Sequence, residues 1–320
     1  MARSDLLLTL VKTGFNGDVS LFRKTVETIA EEARAKSQFV LADRLSNLLT
    51  ASVSQPGRSL PTFDPKLQNA FYEITPSRTL DDLVLPSIAR QVCRELIEEH
   101  QRRDLLRSYN LQPKHRVLLL GPPGNGKTTL AEALAHELMV PMFVVKYEGV
   151  ITSLLGETAQ QLERLFEHVK RQRCVLFFDE FDALSKERGD TNELGEIKRV
   201  VNSLLLQIDQ LPNHVMIITA TNHPDMIDRA AWRRFQAQIE LQKPTQALAA
   251  EWIAQFEKRV GHGLGLSPKT LAEKLKGRSF AELEQFALDV QRRYVLSGPS
   301  SDIRQIVQSR LKQWAQHSHN

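Results

Sequence analysis

Gly121-Pro122-Pro123-Gly124-Asn125-Gly126-Lys127-Thr128 is the stretch on which the reading of this chain turns. It satisfies the pattern Gly, four residues, Gly-Lys, then Ser or Thr at every position. The flanks supply the context the pattern needs. Val117–Leu120 before it is a short apolar run with strand character, and Thr129–Leu138 after it reads as a helix. Glycines let such a loop curl so that its backbone N–H groups face a polyphosphate, and the following helix N-terminus adds a favourable dipole. The expected cradle comprises Pro123, Gly124, Asn125, Gly126, Lys127, Thr128 and Thr129. Lys127 is placed to pair with the outer phosphates, and Thr128 to offer its hydroxyl to Mg²⁺.

A second element matches the first. In Val175-Leu176-Phe177-Phe178-Asp179-Glu180, a buried strand delivers two carboxylates at its C-terminal end, where open α/β sheets bind ligands. Asp179 is expected in the magnesium shell, and Glu180 as the group that orients and deprotonates an attacking water. The wider pattern agrees. Arg116–Leu120, Met142–Val145, Val175–Phe178 and Val215–Thr219 are short apolar runs separated by helical stretches, which predicts an α/β fold on a parallel sheet. After Lys243-Pro244 the chain reads as helical to its end. The expected organisation is a helical N-terminal module over 1–50, a linker over 51–79, an α/β nucleotide-binding subdomain over 80–243 and a helical lid with C-terminal helix over 244–320.

The N-terminal module carries three short amphipathic stripes, among them Phe22, Val26, Ile29 and Ala33. Such helices bury little alone, so the module is either a set of cap helices or a docking module. Ser54, Pro56, Gly57, Ser59, Pro61 and Pro65 mark the linker.

Composition narrows the partners. Lys and Arg total 42 against 38 Asp and Glu in 320 residues, a net charge of +4. A mild basic bias at Arg292, Arg293, Arg304, Arg310 and Lys312 fits a solvated helix face better than a nucleic-acid surface. Cys93 and Cys174 form no CxxC pair, which argues against zinc and disulfides and for a reducing cytoplasm. Leu6-Leu7-Leu8 is too short for a signal-peptide core, and no apolar run approaches the ~20 residues of a membrane span.

At these residues the chain resembles the AAA+ P-loop NTPases, within the clade of FtsH-like proteases and the katanin and spastin severing enzymes, over roughly residues 80–295. The resemblance implies ATP as ligand, a Rossmann-like large subdomain with a small all-α lid, and a homo-oligomeric ring, a hexamer, with ATP at each subunit junction. Asn222, ending Ile218-Thr219-Ala220-Thr221-Asn222, is similar to the polar residue that senses the γ-phosphate or the attacking water. Arg233 and Arg234 resemble arginine fingers that reach a neighbouring subunit's γ-phosphate. Asp82-Leu83-Val84 resembles the segment whose backbone reads adenine, with Val84 where the family has glycine. Gly277-Arg278-Ser279-Phe280-Ala281-Glu282-Leu283 resembles the lid turn that meets the nucleotide near Ala281, with Phe280 in place of a glycine and Glu282 in place of an aspartate.

The same resemblance points to protein as the substrate. Ser153–Thr158 is similar to a polypeptide-threading pore loop, with Leu154 and Leu155 where an aromatic is usual, and Asp190–Glu196 to a second, acidic one. Core placement of Leu154 and Leu155 competes with that reading, and the composition of Asp190–Glu196 fits a mobile loop equally well. No HExxH or GxSxG protease signature is present, so any protease would be a separate protein. The N-terminal module resembles that of bacterial ATPases encoded beside subtilisin-like serine proteases. Three functions are therefore expected, in this order: a protein-remodelling ATPase, an ATP-gated switch on a partner protein, and a DNA-acting loader or transposition helper.

Overall fold

The computed structural model describes residues 25, 26, 28, 71–145, 166–181, 204–226, 232–298 and 302–317. Two compact units divide the chain, Met1–Phe63 and Asp64–Asn320. In the first, Thr25, Val26 and Thr28 are helical, the first two buried. The rest of the 1–50 module, the pore-loop residues Leu154 and Leu155, and Asp190–Glu196 lie outside the described residues.

The second unit begins with strand β1 (Phe71–Ile74), then helices α1 (Ser87–Gln101) and α2 (Arg103–Ser108). Next come β2 (Arg116–Leu120), α3 (Lys127–Glu137), β3 (Met142–Val145), β4 (Cys174–Phe178), β5 (Val215–Thr221) and β6 (Ala237–Glu240). Four helices follow: α4 (Gln246–Val260), α5 (Pro268–Lys274), α6 (Phe280–Ser297) and α7 (Ile303–His317). The strands form one sheet in the order β1-β3-β4-β5-β2-β6.

Five of the six strands run parallel, as β-branched runs buried on both faces should. Every residue of β3, β4 and β5 is buried. The sheet is parallel as expected, with one edge added, where β1 pairs antiparallel with β3, Phe71 opposite Val145. This strand falls within the stretch read as linker, so the sheet starts before residue 80. Phe71 anchors it, meeting Phe143 edge-to-face at 5.7 Å.

Strand β2 sits between β5 and β6, both later in the chain. Crossovers therefore leave its neighbourhood in opposite directions and open a crevice at its C-terminal end. Gly121 occupies that end at φ 133°, where a Cβ would collide with the Leu241 carbonyl oxygen. Only glycine fits there. The lid has its own core, in which Ile253, Phe256, Leu271, Phe286 and Val307 pack together. Its helices are capped as their sequences dictate: Thr245 and Ser267 accept backbone N–H bonds, and Ser279 forms a capping box with Glu282.

Beneath β2 lie two histidines kept neutral. Burial, then the Arg116 charge, pushes His115 down to about 4, and burial lowers His100 as well. In the unfolded chain both titrate near 6.5. Between about pH 6.5 and 4 the unfolded state therefore binds protons that the folded state refuses, and stability falls as pH falls through that window. The urea midpoint should be lower at pH 5 than at pH 7, with a smaller drop in His115→Asn; a midpoint that does not move would contradict this burial.

Candidate nucleotide site

A cavity of about 390 Å³ opens at the C-terminal end of β2, between the sheet and the lid. That volume suits a small-molecule ligand. Its floor is the 123–129 loop and helix start; one wall is Leu83, Val84 and Leu85; the roof is Trp252, Arg259, Phe280, Ala281 and Glu284. Asp179, Glu180 and Asn222 stand at the strand ends. Leu83, Val84, all seven residues from Pro123 to Thr129, Asp179, Glu180, Asn222 and Ala281 thus line one cavity, although they come from five separate stretches of chain.

Gly124 and Gly126 adopt left-handed φ of 74° and 84°, which curls the loop and starts α3 at Lys127. Lys127 is buried, only 6% exposed. Its Nζ donates to the Gly121 carbonyl at 2.7 Å, the Pro122 carbonyl at 3.1 Å and Asn222 Oδ1 at 2.7 Å. A buried ammonium needs such oxygens, or an anion that replaces them. Asn125 Oδ1 is buried with no hydrogen-bond partner.

Thr128 Oγ1 donates to Asp179 Oδ2 at 3.1 Å. A hydroxyl and a carboxylate oxygen converging there form a hard-oxygen pair, the donor set Mg²⁺ uses beside phosphate oxygens and waters. With only two protein oxygens, the pair fits a cation whose remaining positions are filled by phosphate oxygens and waters. Glu180 follows at φ 49°, a left-handed conformation costing a non-glycine residue roughly 1 kcal/mol. Its N–H donates to Asp179 Oδ1 at 3.0 Å, while the Phe181 N–H donates to the Ala220 carbonyl at 2.9 Å. The strained backbone thereby presents the carboxyl to the cavity.

The lid touches the cradle directly, since the Ala281 N–H donates to the Gly124 carbonyl at 2.9 Å. A Cβ on Gly124 would stand 3.0 Å from Ser279 Oγ and 3.1 Å from the Ala281 Cβ. The small residue that permits this approach is thus Gly124 on the loop side, and Phe280 on the lid side does not prevent it. Sequence reasoning missed Trp252, Arg259, Phe280 and Glu284 as cavity residues. Trp252, Phe256 and Arg259 share one face of α4: Trp252 stacks on Phe256 at 5.5 Å, and the Arg259 guanidinium sits 5.4 Å from the Phe256 ring. That helical spacing was the available signal.

The two arginines expected as fingers part company. Arg234 Nε pairs with Asp209 Oδ2 at 2.7 Å, and Asp209 Oδ1 pairs with Arg116 at 2.7 Å. Arg233 is exposed and lines no part of its own chain's cavity. Residues 227–231, which precede them, lie outside the described residues. Burial pushes the Cys93 and Cys174 thiols up to about 12, which leaves both inert as expected of buried small residues. In the basic C-terminal stretch, Arg292 pairs with Asp289 at 3.0 Å and Arg310 donates to Gln313 at 2.7 Å.

The crevice, cradle and paired carboxylates define a P-loop nucleoside triphosphatase. The family model "ATPase family associated with various cellular activities (AAA)" matches residues 117–243. An AAA family ATPase of Sinorhizobium fredii is 38% identical over 292 residues, covering 89% of this chain and 87% of that protein. A proteasome-activating nucleotidase of Thermococcus onnurineus is 34% identical over 220 residues, covering 64% of this chain and 55% of that one. A putative 26S proteasome regulatory subunit homolog of Methanothermobacter thermautotrophicus is 36% identical over 177 residues, 54% of this chain. The chain spans about half the length of these last two relatives, 55% and 47%. The chain belongs to the AAA family of ATPases. Among the described residues no helix is long and apolar enough to cross a membrane.

Replacing Lys127 by Ala removes the one buried cation of the cradle. Its ATP dissociation constant should rise about 100-fold, the loss of a strong charge-assisted contact. Titration with a fluorescent ATP analogue measures this, and unchanged affinity would overturn the assignment of the loop.

Proposed function

We propose that this ATPase assembles into a homo-oligomeric ring, a hexamer, in the cytoplasm and uses ATP hydrolysis to remodel or unfold a protein. The observation that carries the ring is the placement of Arg233. Transition-state charge on a transferring phosphoryl group needs a fixed guanidinium, and Arg233 is exposed and outside the lining of its own cavity, which supports its serving a neighbouring chain's site. Arg234, held by Asp209, braces the turn that presents it.

Within one cavity the residues divide the work. The Leu83–Val84 backbone faces the base. Lys127 exchanges its bonds to Gly121, Pro122 and Asn222 for phosphate oxygens. Thr128 and Asp179 would hold a Mg²⁺ ion, which would supply charge neutralisation to the phosphates. Glu180 accepts a proton from the attacking water, whose oxygen bonds to the γ-phosphorus as the bridge to ADP breaks. Asn222, released by Lys127, orients that water or the γ-phosphate.

Relatives named as a proteasome-activating nucleotidase and a putative 26S proteasome regulatory subunit homolog support a protein substrate. A separate protease of the subtilisin-like type as partner rests on the resemblance of the N-terminal module alone. Leu154 and Leu155 are proposed to grip the polypeptide. A Leu154→Ala chain should then stop processing substrate while ATP turnover persists; loss of both together would count against a threading loop.

Glu180→Gln should keep ATP affinity within a few-fold yet hydrolyse at least ~100 times more slowly, the scale of general-base catalysis. Arg233→Ala should lower kcat by about 10³ and, mixed with Lys127→Ala subunits, restore part of the activity at shared junctions. Mixed assemblies that stay inactive would remove the shared-site ring.

A further inference from the structure

Between β1 and α1 the chain crosses the edge of the cavity as a strap, residues 75–86, which contributes Arg78, Asp82, Leu83, Val84 and Leu85 to its lining. The strap has almost no regular structure beyond one short 3₁₀ turn at Leu80–Asp82. Charged side chains from two helices hold it instead. Glu132 Oε1 accepts from the Ser77 N–H and the Ser77 hydroxyl, both at 3.0 Å, and from the Arg78 N–H at 3.3 Å. Glu137 Oε1 accepts from the Leu80 N–H at 3.2 Å. On the other side the Arg90 guanidinium donates to the Leu83 carbonyl at 2.6 Å.

Glu132 and Glu137 lie on α3, the helix that begins at Lys127. Neither lines the cavity. We infer that Glu132 is a positioning residue that selects the base of the nucleotide. Through Ser77 and Arg78 it locks the strap to the helix carrying the phosphate cradle, and so fixes the distance and angle between the base wall and the phosphates. This rests on the reading of the cavity as an ATP site. Burial favours the protonated Glu132 carboxyl, but the bonds from Ser77 and Arg78 outweigh it and hold the group below the usual range, so it clamps as a carboxylate.

The chemical consequence is purine discrimination. Adenine presents an amino donor where guanine presents a carbonyl acceptor. A backbone wall held rigidly at Leu83–Val84 meets one pattern and leaves the other with unpaired polar groups, the arrangement that discriminates best. A wall free to shift by an ångström accommodates both.

The test uses the full chain and compares wild type, Glu132→Gln, Glu132→Ala and Lys127→Ala by steady-state ATP and GTP hydrolysis and by titration with fluorescent ATP and GTP analogues. Glu132→Ala should raise KM for ATP about tenfold, the loss of a charge-assisted hydrogen bond, with kcat within about twofold and a smaller preference for ATP over GTP. Glu132→Gln keeps an acceptor oxygen and should restore most of the KM and the preference. Ser77→Ala, which removes one of the three donors, should move KM in the same direction by a smaller factor and serves if Glu132→Ala fails to fold. If Lys127→Ala loses nucleotide while Glu132→Ala and Ser77→Ala keep wild-type KM and preference, the clamp is wrong and the cavity assignment stands. If Lys127→Ala binds ATP as wild type does, both fall. A Glu132→Ala chain that loses kcat with unchanged KM would also overturn the inference.

Discussion

Lys127 is buried at the start of α3, its ammonium bonded to the Gly121 and Pro122 carbonyls and the Asn222 amide oxygen. A bare cation there would be prohibitively costly, and its oxygen neighbours satisfy it only until an anion arrives. Several features follow from this requirement. The loop must curl, so Gly124 and Gly126 take left-handed φ. The strand feeding it must end flush against Leu241, so Gly121 has no room for a side chain. Asn222 must stand at the end of β5, the strand beside β2, where its oxygen reaches the ammonium.

From that centre the site extends in two directions through backbone contacts. Toward the lid, the Ala281 N–H bonds the Gly124 carbonyl, so the first turn of α6 rests on the loop. Toward the base, the strap is tied to α3 by Glu132 and Glu137. The phosphate cradle, the lid contact and the strap therefore all meet at α3 and the loop that precedes it.

What the sequence shows and hides has physical causes. The strands β2 to β5 were legible because both their faces are buried, which makes the runs Val117–Leu120 and Val175–Phe178 apolar without interruption. Edge strands lack that signature. β6 reads AQIE with alternate burial, and β1 reads FYEI with Tyr72 and Glu73 exposed, so four residues apiece are too few to stand out from a loop. The cradle was legible because loop curvature and phosphate contact demand particular residues at fixed offsets. The divergence of Arg233 and Arg234 was not, since it depends on Asp209, a partner 25 positions away with no periodic relation to either. At the lid turn, where Phe280 stands in place of the family's glycine, the clearance between lid and loop comes from Gly124 across the interface, which no single segment displays.

The central claim is that one nucleotide is clasped by the loop and the lid together, and amide hydrogen exchange with and without ATP and Mg²⁺ reads it most directly. Slowed exchange in both the 121–129 loop and the first turn of α6 near Ala281 is the result this account predicts. Unchanged exchange in the loop, or protection in the loop with the lid turn unaffected, would contradict it.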